Sequence, residues 1–189
     1  KTGWFWSTLF FGGTLPALVD KSLKDDIDRI IEAGAKAMGV QDGIVKGDLV
    51  IGEDGTPQII ELALRLSGGW FASDQIIVAT GVDLVKAVMK QALGETVTAD
   101  ELIPVKNRAV AIRYWFPRAG KIKKIIGEEK IKSLPGILKY DFFRQCNDVQ
   151  PTIRMHPDRF GYVLVEGADR EEAITSVENA ISCLTVEVE

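Results

Sequence analysis

Cysteine and histidine are almost missing from this 189-residue chain, which has two of the first and one of the second. Cys146 and Cys183 stand far apart and match no metal-ligand or redox spacing, so they read as packed, reduced thiols of a cytoplasmic protein. His156, the sole histidine, lies between Met155 and Pro157 and reads as a loop residue rather than a catalytic base. Long hydrophobic runs are absent too. No stretch approaches the roughly eighteen apolar residues of a membrane span, and the opening residues lack a signal-peptide pattern, so no membrane association is expected. Positive charge is in deficit: 23 Lys and Arg against 27 Asp and Glu give a net charge of −4 and a pI near 5.2. That argues against a nucleic-acid-binding surface, which needs a basic patch or stripe. There is no internal repeat and no low-complexity run.

What is present is an ordinary globular composition, 46% hydrophobic and 26% charged, in a length that suits one domain or two small ones. The chain begins at Lys1 on an aromatic stretch, Thr2-Gly3-Trp4-Phe5-Trp6, which resembles the middle of a sheet. The expectation is therefore a fragment whose N-terminal half lies upstream.

One hairpin carries the chemical signal. Asp54-Gly55 lies between alternating apolar segments, the pattern of a two-residue primed turn with positive φ at both positions. That turn pairs Glu53 with Thr56, Val50 with Ile59, and Asp48 with Glu61. Like charges directly opposite each other destabilise a strand pair by about 0.2–1 kcal/mol, so a facing Asp48 and Glu61 imply a shared cation. Alternation puts Val45, Leu49, Ile51, Ile60, Leu62, Leu64 and Leu66 on one face, read as core. Lys46, Asp48, Glu61, Ala63 and Arg65 share the other. Lys46 is equally suited to phosphate or to pairing with the two acids. The second strand runs into Ser67-Gly68-Gly69 ahead of an apolar segment beginning near Ser73-Asp74, a strand, tight loop and helix start where backbone N–H groups can receive an anion. Trp70 follows that loop and is placed to wall a pocket.

The remaining pattern is α+β. A strand is expected over 4–11, broken by Gly12-Gly13 and Pro16. A helix capped by Ser22 follows, with Ile27, Ile30, Ile31, Gly34, Ala35 and Met38 as its stripe and Gly39 past its end. After the hairpin come a short helix over 76–79, a longer one through Leu84, Val85, Val88, Met89 and Ala92 ending at Gly94, and a polar linker over 95–106. Strands are expected over 108–116, 121–126, 138–143 and 162–166. A last helix is capped by Asp169 with Glu172 three residues on, its stripe being Ala173, Ile174, Val177, Ala180, Ile181 and Leu184. Arg113, Arg118 and Lys121 form either a small basic patch or a solvated strand end. Helices mixed with hairpins, without regular βαβ alternation, indicate α+β architecture.

Gly47-Asp48-Leu49-Val50, Asp54-Gly55 and the run from Ile59 to Gly69 together resemble the C-terminal half of an ATP-grasp ligase. The resemblance is strong over 43–93. It extends more weakly past Lys106, where Arg108 to Arg113 and Asp158 to Val163 look like the small C-terminal domain of such ligases. It implies residues 1–105 as the C-terminal half of an ATP-grasp domain and 106–189 as a small α+β C-terminal domain. It implies ATP and Mg2+ as cofactors, with Asp48 and Glu61 as metal ligands, Arg65 as the catalytic arginine on phosphate or acyl substrate, and Lys46, Arg65, Gly68 and Gly69 on the nucleotide phosphates. It further implies a small-molecule carboxylate, a nucleophile and the missing N-terminal half as partners, with a homodimer compatible. Ala63 stands where the family usually places an Asn ligand, a departure nearest to the carbamoyl-phosphate-synthase-like and L-amino-acid ligase branches. The readings that stand beside a ligase are a degenerate module with a regulatory or assembly role, and a bicarbonate-using enzyme of the biotin-carboxylase or carbamoyl-phosphate type.

Overall fold

In a computed structural model, residues 12–189 are described; the strand expected over 4–11 lies outside them. The elements are β1 (Gly12–Leu15), α1 (Lys21–Ala37), β2 (Lys46–Ile51), β3 (Pro57–Ala63), α2 (Ile76–Thr80), α3 (Leu84–Ala92), β4 (Ala109–Trp115), β5 (Gly120–Ile126), α4 (Glu128–Ser133), β6 (Ile137–Phe142), β7 (Val149–Gln150), β8 (Gly161–Gly167), α5 (Arg170–Cys183) and β9 (Thr185–Val188). They form two compact units, one over 17–107 and the other joining β1 to residues 108–189.

In the unit over 17–107, α1 lies on the β2–β3 hairpin. Asp20, not Ser22, caps the helix: its Oδ1 accepts the Leu23 N–H at 2.8 Å, the i to i+3 bond that satisfies an orphan donor of the first turn. Lys21–Asp25, Lys24–Asp28 and Lys36–Glu32 ion pairs line the outer face. The inner face is held close by small residues. A Cβ on Gly47 would lie 2.4 Å from Ile31 Cδ1, and one on Gly34 2.5 Å from Leu62 Cδ1. The linker after α3 is tied back to α2. The Val105 and Lys106 N–H groups both donate to the Thr80 carbonyl, at 2.8 and 3.0 Å. Within it, a 3-10 turn over Ala99–Leu102 is closed by a Thr98–Glu101 capping box.

The second unit is built on a four-stranded antiparallel sheet in the order β1-β4-β8-β6, with a smaller sheet in the order β7-β5-β9. Gly12 and Gly13 do not break the chain here, contrary to the sequence expectation; they belong to β1, which pairs with β4. The reason is space, since a Cβ on Gly12 would fall 2.4 Å from the Ile112 carbonyl oxygen and 2.6 Å from Arg113 Cδ. Asp169 caps α5 by accepting the Glu172 N–H at 2.9 Å, and the Glu172 carboxylate returns to the Ala168 N–H at 2.5 Å, a close relative of the capping box. Ala173, Val177 and Ala180 of α5 meet Ala109, Ala111, Trp115, Val163 and Val165 in a core completed by Ile122, Ile131 and Phe160. Arg113 is no surface patch. Its Nε donates to Glu178 at 2.8 Å and its Nη1 to the Gly13 and Ile112 carbonyls at 3.1 and 3.0 Å. Arg144 ties the 157–159 loop by donating to the carbonyls of Pro157, Asp158 and Arg159. The Arg159 guanidinium is stacked 3.8 Å from the Tyr114 ring centroid.

Candidate phosphate and metal site

The hairpin places Lys46 opposite Ala63, Gly47 opposite Leu62 and Asp48 opposite Glu61, the pairing expected from sequence at these positions. It arrives there by another route. The turn is not the expected two-residue primed turn. Gly52 and Thr56 close it through the Gly52 N–H on the Thr56 carbonyl at 2.8 Å, leaving Glu53, Asp54 and Gly55 as the loop, and only Gly55, at φ +82°, has positive φ. This is the three-residue loop ending in a left-handed residue. Asp54 is not among the residues with positive φ, and its carboxylate accepts the Thr56 hydroxyl at 2.7 Å and the Thr56 N–H at 3.0 Å. Those bonds hold the Asp54 carboxyl below its ordinary range.

A loop one residue longer shifts the register, so Val50 pairs with Gln58 and Leu49 with Ile59. Between Leu49 and Asp48 a β-bulge absorbs Ile60, and beyond it Asp48 meets Glu61. The bulge also corrects the expected core face. Ile59, rather than Ile60, turns toward α1, with its Cδ1 3.5 Å from a Cβ built on Gly34. Ile60 is 67% exposed, and Ile51 and Leu64 are exposed with it.

Lys46 lies over both acids. Its Nζ ion-pairs with Asp48 Oδ2 and stands 3.5 Å from Glu61 Oε1. The two carboxylates are half exposed, whereas the Lys46 side chain is only 19% exposed. Two carboxylates and one ammonium sum to one negative charge on the hairpin. Among the described residues no group of three or more His, Cys, Asp and Glu could by itself hold a metal ion. A cation at Asp48 and Glu61 would complete its shell with water and ligand oxygens, as Mg2+ does.

Arg65 follows β3 in a bend and is exposed. Its Nη1 donates to the Leu66 carbonyl at 3.1 Å, so its guanidinium is not engaged with Asp48 or Glu61 through any ion pair within 4 Å. The Gly68-Gly69 loop then turns the chain into a π-helical turn, Phe71–Gln75, through Trp70 at φ 63°. Gly69 is left-handed as well, at φ 64°, and the space facing Gly68 is open. Sequence reasoning missed Gln75, which is 2% exposed and donates its Nε2 to the Gly69 carbonyl at 3.1 Å. The signal was there: a lone amide on the buried stripe Ala72, Gln75, Ala79 has to find a partner. Gln75 thus fixes the loop that the two glycines form. His156 lies in a short, exposed 3-10 turn in the other unit, as a loop residue should.

Residues 113–189 match the family model described as L-amino acid ligase C-terminal domain 2. Among solved structures, the L-amino acid ligase from Bacillus licheniformis aligns over 95% of this chain and 44% of its own, with a TM-score of 0.82 and 20% identity. Phosphoribosylglycinamide synthetase from Anaerococcus prevotii gives 0.80 and 18% identity over 95% of this chain and 45% of its own. A biotin carboxylase complex with βγ-ATP from Campylobacter jejuni gives 0.66 and 19% over 94% and 39%. At these identities the likeness establishes the fold, and the chain spans less than half the length of each of these structures. No curated protein matches the chain in sequence.

Proposed function

We propose that this chain, a fragment with the fold of the C-terminal half of the ATP-grasp ligases, is the metal- and phosphate-binding half of an ATP-dependent carboxylate ligase. The observation that carries the reading is the pairing of Asp48 with Glu61 across the hairpin, with Lys46 over both. Two hard oxygen ligands on adjacent strands suit Mg2+, which takes one or two carboxylates and draws the rest of its shell from water and phosphate. Bound there, the ion would neutralise phosphate oxygens during transfer of the γ-phosphoryl group to a carboxylate, giving an acyl phosphate that an amine or thiol nucleophile then attacks.

Such transfer is driven by positioning and by charge neutralisation. Asp48 and Glu61 supply the fixed negative groups that hold the cation. Arg65, held only by one carbonyl bond, is free to rotate its planar fork onto a phosphate or the carboxylate substrate. Lys46 adds a point charge, and the Gly68-Gly69 backbone, fixed by Gln75, offers N–H groups to the transferred phosphoryl. The nucleotide base would be held by sequence outside this chain, as would much of the substrate pocket.

The amino-acid ligase branch is favoured over the bicarbonate-using one by two observations. The matched family model is the L-amino acid ligase domain, and the fold superposes better on the L-amino acid ligase, at 0.82, than on biotin carboxylase, at 0.66. The test is Mg2+-dependent ATP hydrolysis by the full-length protein with an amino-acid panel, with and without bicarbonate. Turnover that requires an amino acid and is lost in Asp48→Asn/Glu61→Gln supports the reading. Turnover no greater than that of the double variant would leave a degenerate regulatory or assembly module, and a requirement for bicarbonate would move the chain to the other branch.

A further inference from the structure

We propose that Lys46 is a tethered counter-ion of the Asp48–Glu61 pair, which an incoming divalent cation has to displace, so that metal and nucleotide load together. The inference rests on the reading that this pair takes Mg2+. Three observations carry it. Lys46 sits two residues from Asp48 on one strand, so the two side chains share a face. It is registered opposite Ala63, whose methyl is too short to obstruct the four-carbon stem on its way to Glu61. Its ammonium is paired with both carboxylates while its side chain is 19% exposed. The lysines in the i,i+4 pairs of α1 are 63–87% exposed. Lys46 is therefore held over the acids rather than waving in solvent, and charges sheltered in this way are less screened than surface pairs.

The consequence is electrostatic. A double positive charge placed on the two carboxylates would stand a few ångströms from the ammonium. Repulsion between a double and a single charge about 6 Å apart, even at the dielectric of water, lowers affinity by about tenfold, and by more at shorter range. Relief comes when phosphate oxygens arrive: they add negative charge to the site and give the displaced ammonium a new partner. Lys46 thus suppresses metal binding in the absence of nucleotide and changes partner when the two enter together.

The test is Mn2+ binding to the full-length protein without nucleotide, followed by electron paramagnetic resonance of the free ion. The variants are Lys46→Met, Lys46→Gln, Asp48→Asn, Glu61→Gln and Lys46→Met/Glu61→Gln, each checked for its melting transition. Lys46→Met and Lys46→Gln are expected to bind Mn2+ about tenfold more tightly than wild type, and Lys46→Met/Glu61→Gln to lose the gain. If both lysine variants bind Mn2+ no more tightly than wild type, while Asp48→Asn and Glu61→Gln bind less, the inference about Lys46 is overturned and the metal site stands. If the carboxylate variants and the double variant bind as tightly as their parents, the metal-site reading fails and the inference with it.

Discussion

Asp48 faces Glu61 because Ile60 is bulged out between them and the turn. The loop Glu53-Asp54-Gly55 is one residue longer than a primed two-residue turn, and by itself would have slipped every pair by one. The bulge at Ile60 cancels the slip beyond Leu49, so the acids meet while the residues nearer the turn do not hold the simple register. The left-handed Gly55, at φ +82° with nothing within 4 Å of its would-be Cβ, is what the loop requires. Gly55→Ala should therefore destabilise the chain through backbone strain alone, by about 1 kcal/mol, and Gly55→Asn by less. Denaturant titration of the three proteins, read as a shift in midpoint at constant slope, checks this.

The contact of α1 with the hairpin makes a second prediction. A Cβ on Gly47 would sit 2.4 Å from Ile31 Cδ1 and 3.3 Å from Leu62 Cδ2. An alanine there can be met by rotating the end of Ile31, but a branched side chain cannot. Gly47→Val is expected to cost about 1–3 kcal/mol by overpacking, and Gly47→Val/Ile31→Ala to recover part of it. Because Gly47 neighbours Asp48, the same variant should also weaken Mn2+ binding. Thermal melts and Mn2+ titration of the two variants against wild type give both readings.

Much of this fold was legible in the sequence where periodicity and caps agree. The last helix was marked by Asp169, Glu172 and its stripe, and the strands of the sheet by apolar runs such as Ala109 to Trp115. The facing of Asp48 and Glu61 was legible too, although two local features that compensate one another were not. A bulge has no composition of its own here, since Ile60 looks like any core residue until pairing turns it outward. The role of Gly12 and Gly13 was hidden for a related reason. Glycine signals a break locally, but in β1 it answers the close approach of β4, a contact about a hundred residues away that no local window contains. The N-cap of α1 was missed by two residues because Ser22 and Asp20 are both good caps, and only the bond to the Leu23 N–H decides between them. β9 was missed because Thr185 to Val188 follows α5 directly, with Leu184 serving as the last residue of a helical stripe.

The segment after α3, within the unit over 17–107, contributes a pH-dependent prediction. Glu101 receives Lys90 Nζ at 2.8 and 2.9 Å and the Thr98 N–H at 3.0 Å. These bonds, led by that to Lys90, hold its carboxyl down at about 2, against an ordinary 4.5. A carboxyl whose pKa is depressed on folding stabilises the fold above its unfolded value. That contribution is fully present above about 4.5 and is lost as pH falls toward 2. Lys90→Met should raise the Glu101 titration toward its ordinary value and remove most of that pH dependence. Carbon-detected NMR titration of the Glu101 carboxyl in both proteins would measure the shift.

The loop held by Arg144 carries the last prediction. One guanidinium donates to three successive carbonyls, those of Pro157 at 3.1 Å, Asp158 at 3.2 Å and Arg159 at 2.6 Å. Gln150 of β7, itself 1% exposed, donates to the Asp158 carbonyl at 2.8 Å. The loop leads into Phe160, which is fully buried against Phe142 with ring centroids 5.3 Å apart. Arg144→Met keeps much of the side-chain volume but leaves the Pro157 and Arg159 carbonyls without this donor. Hydrogen bonds to a charged group contribute about 1.5–3 kcal/mol each at most, and the three share one side chain, so a total loss of about 2–3 kcal/mol is expected. Phe160→Ala should cost more, about 3–5 kcal/mol, because it empties the core outright. The two losses should not add in Arg144→Met/Phe160→Ala, since the arginine and the ring anchor the same turn of chain. A double-mutant cycle on the denaturation midpoints decides the matter: strict additivity would mean that Arg144 fixes the loop without helping to seat Phe160.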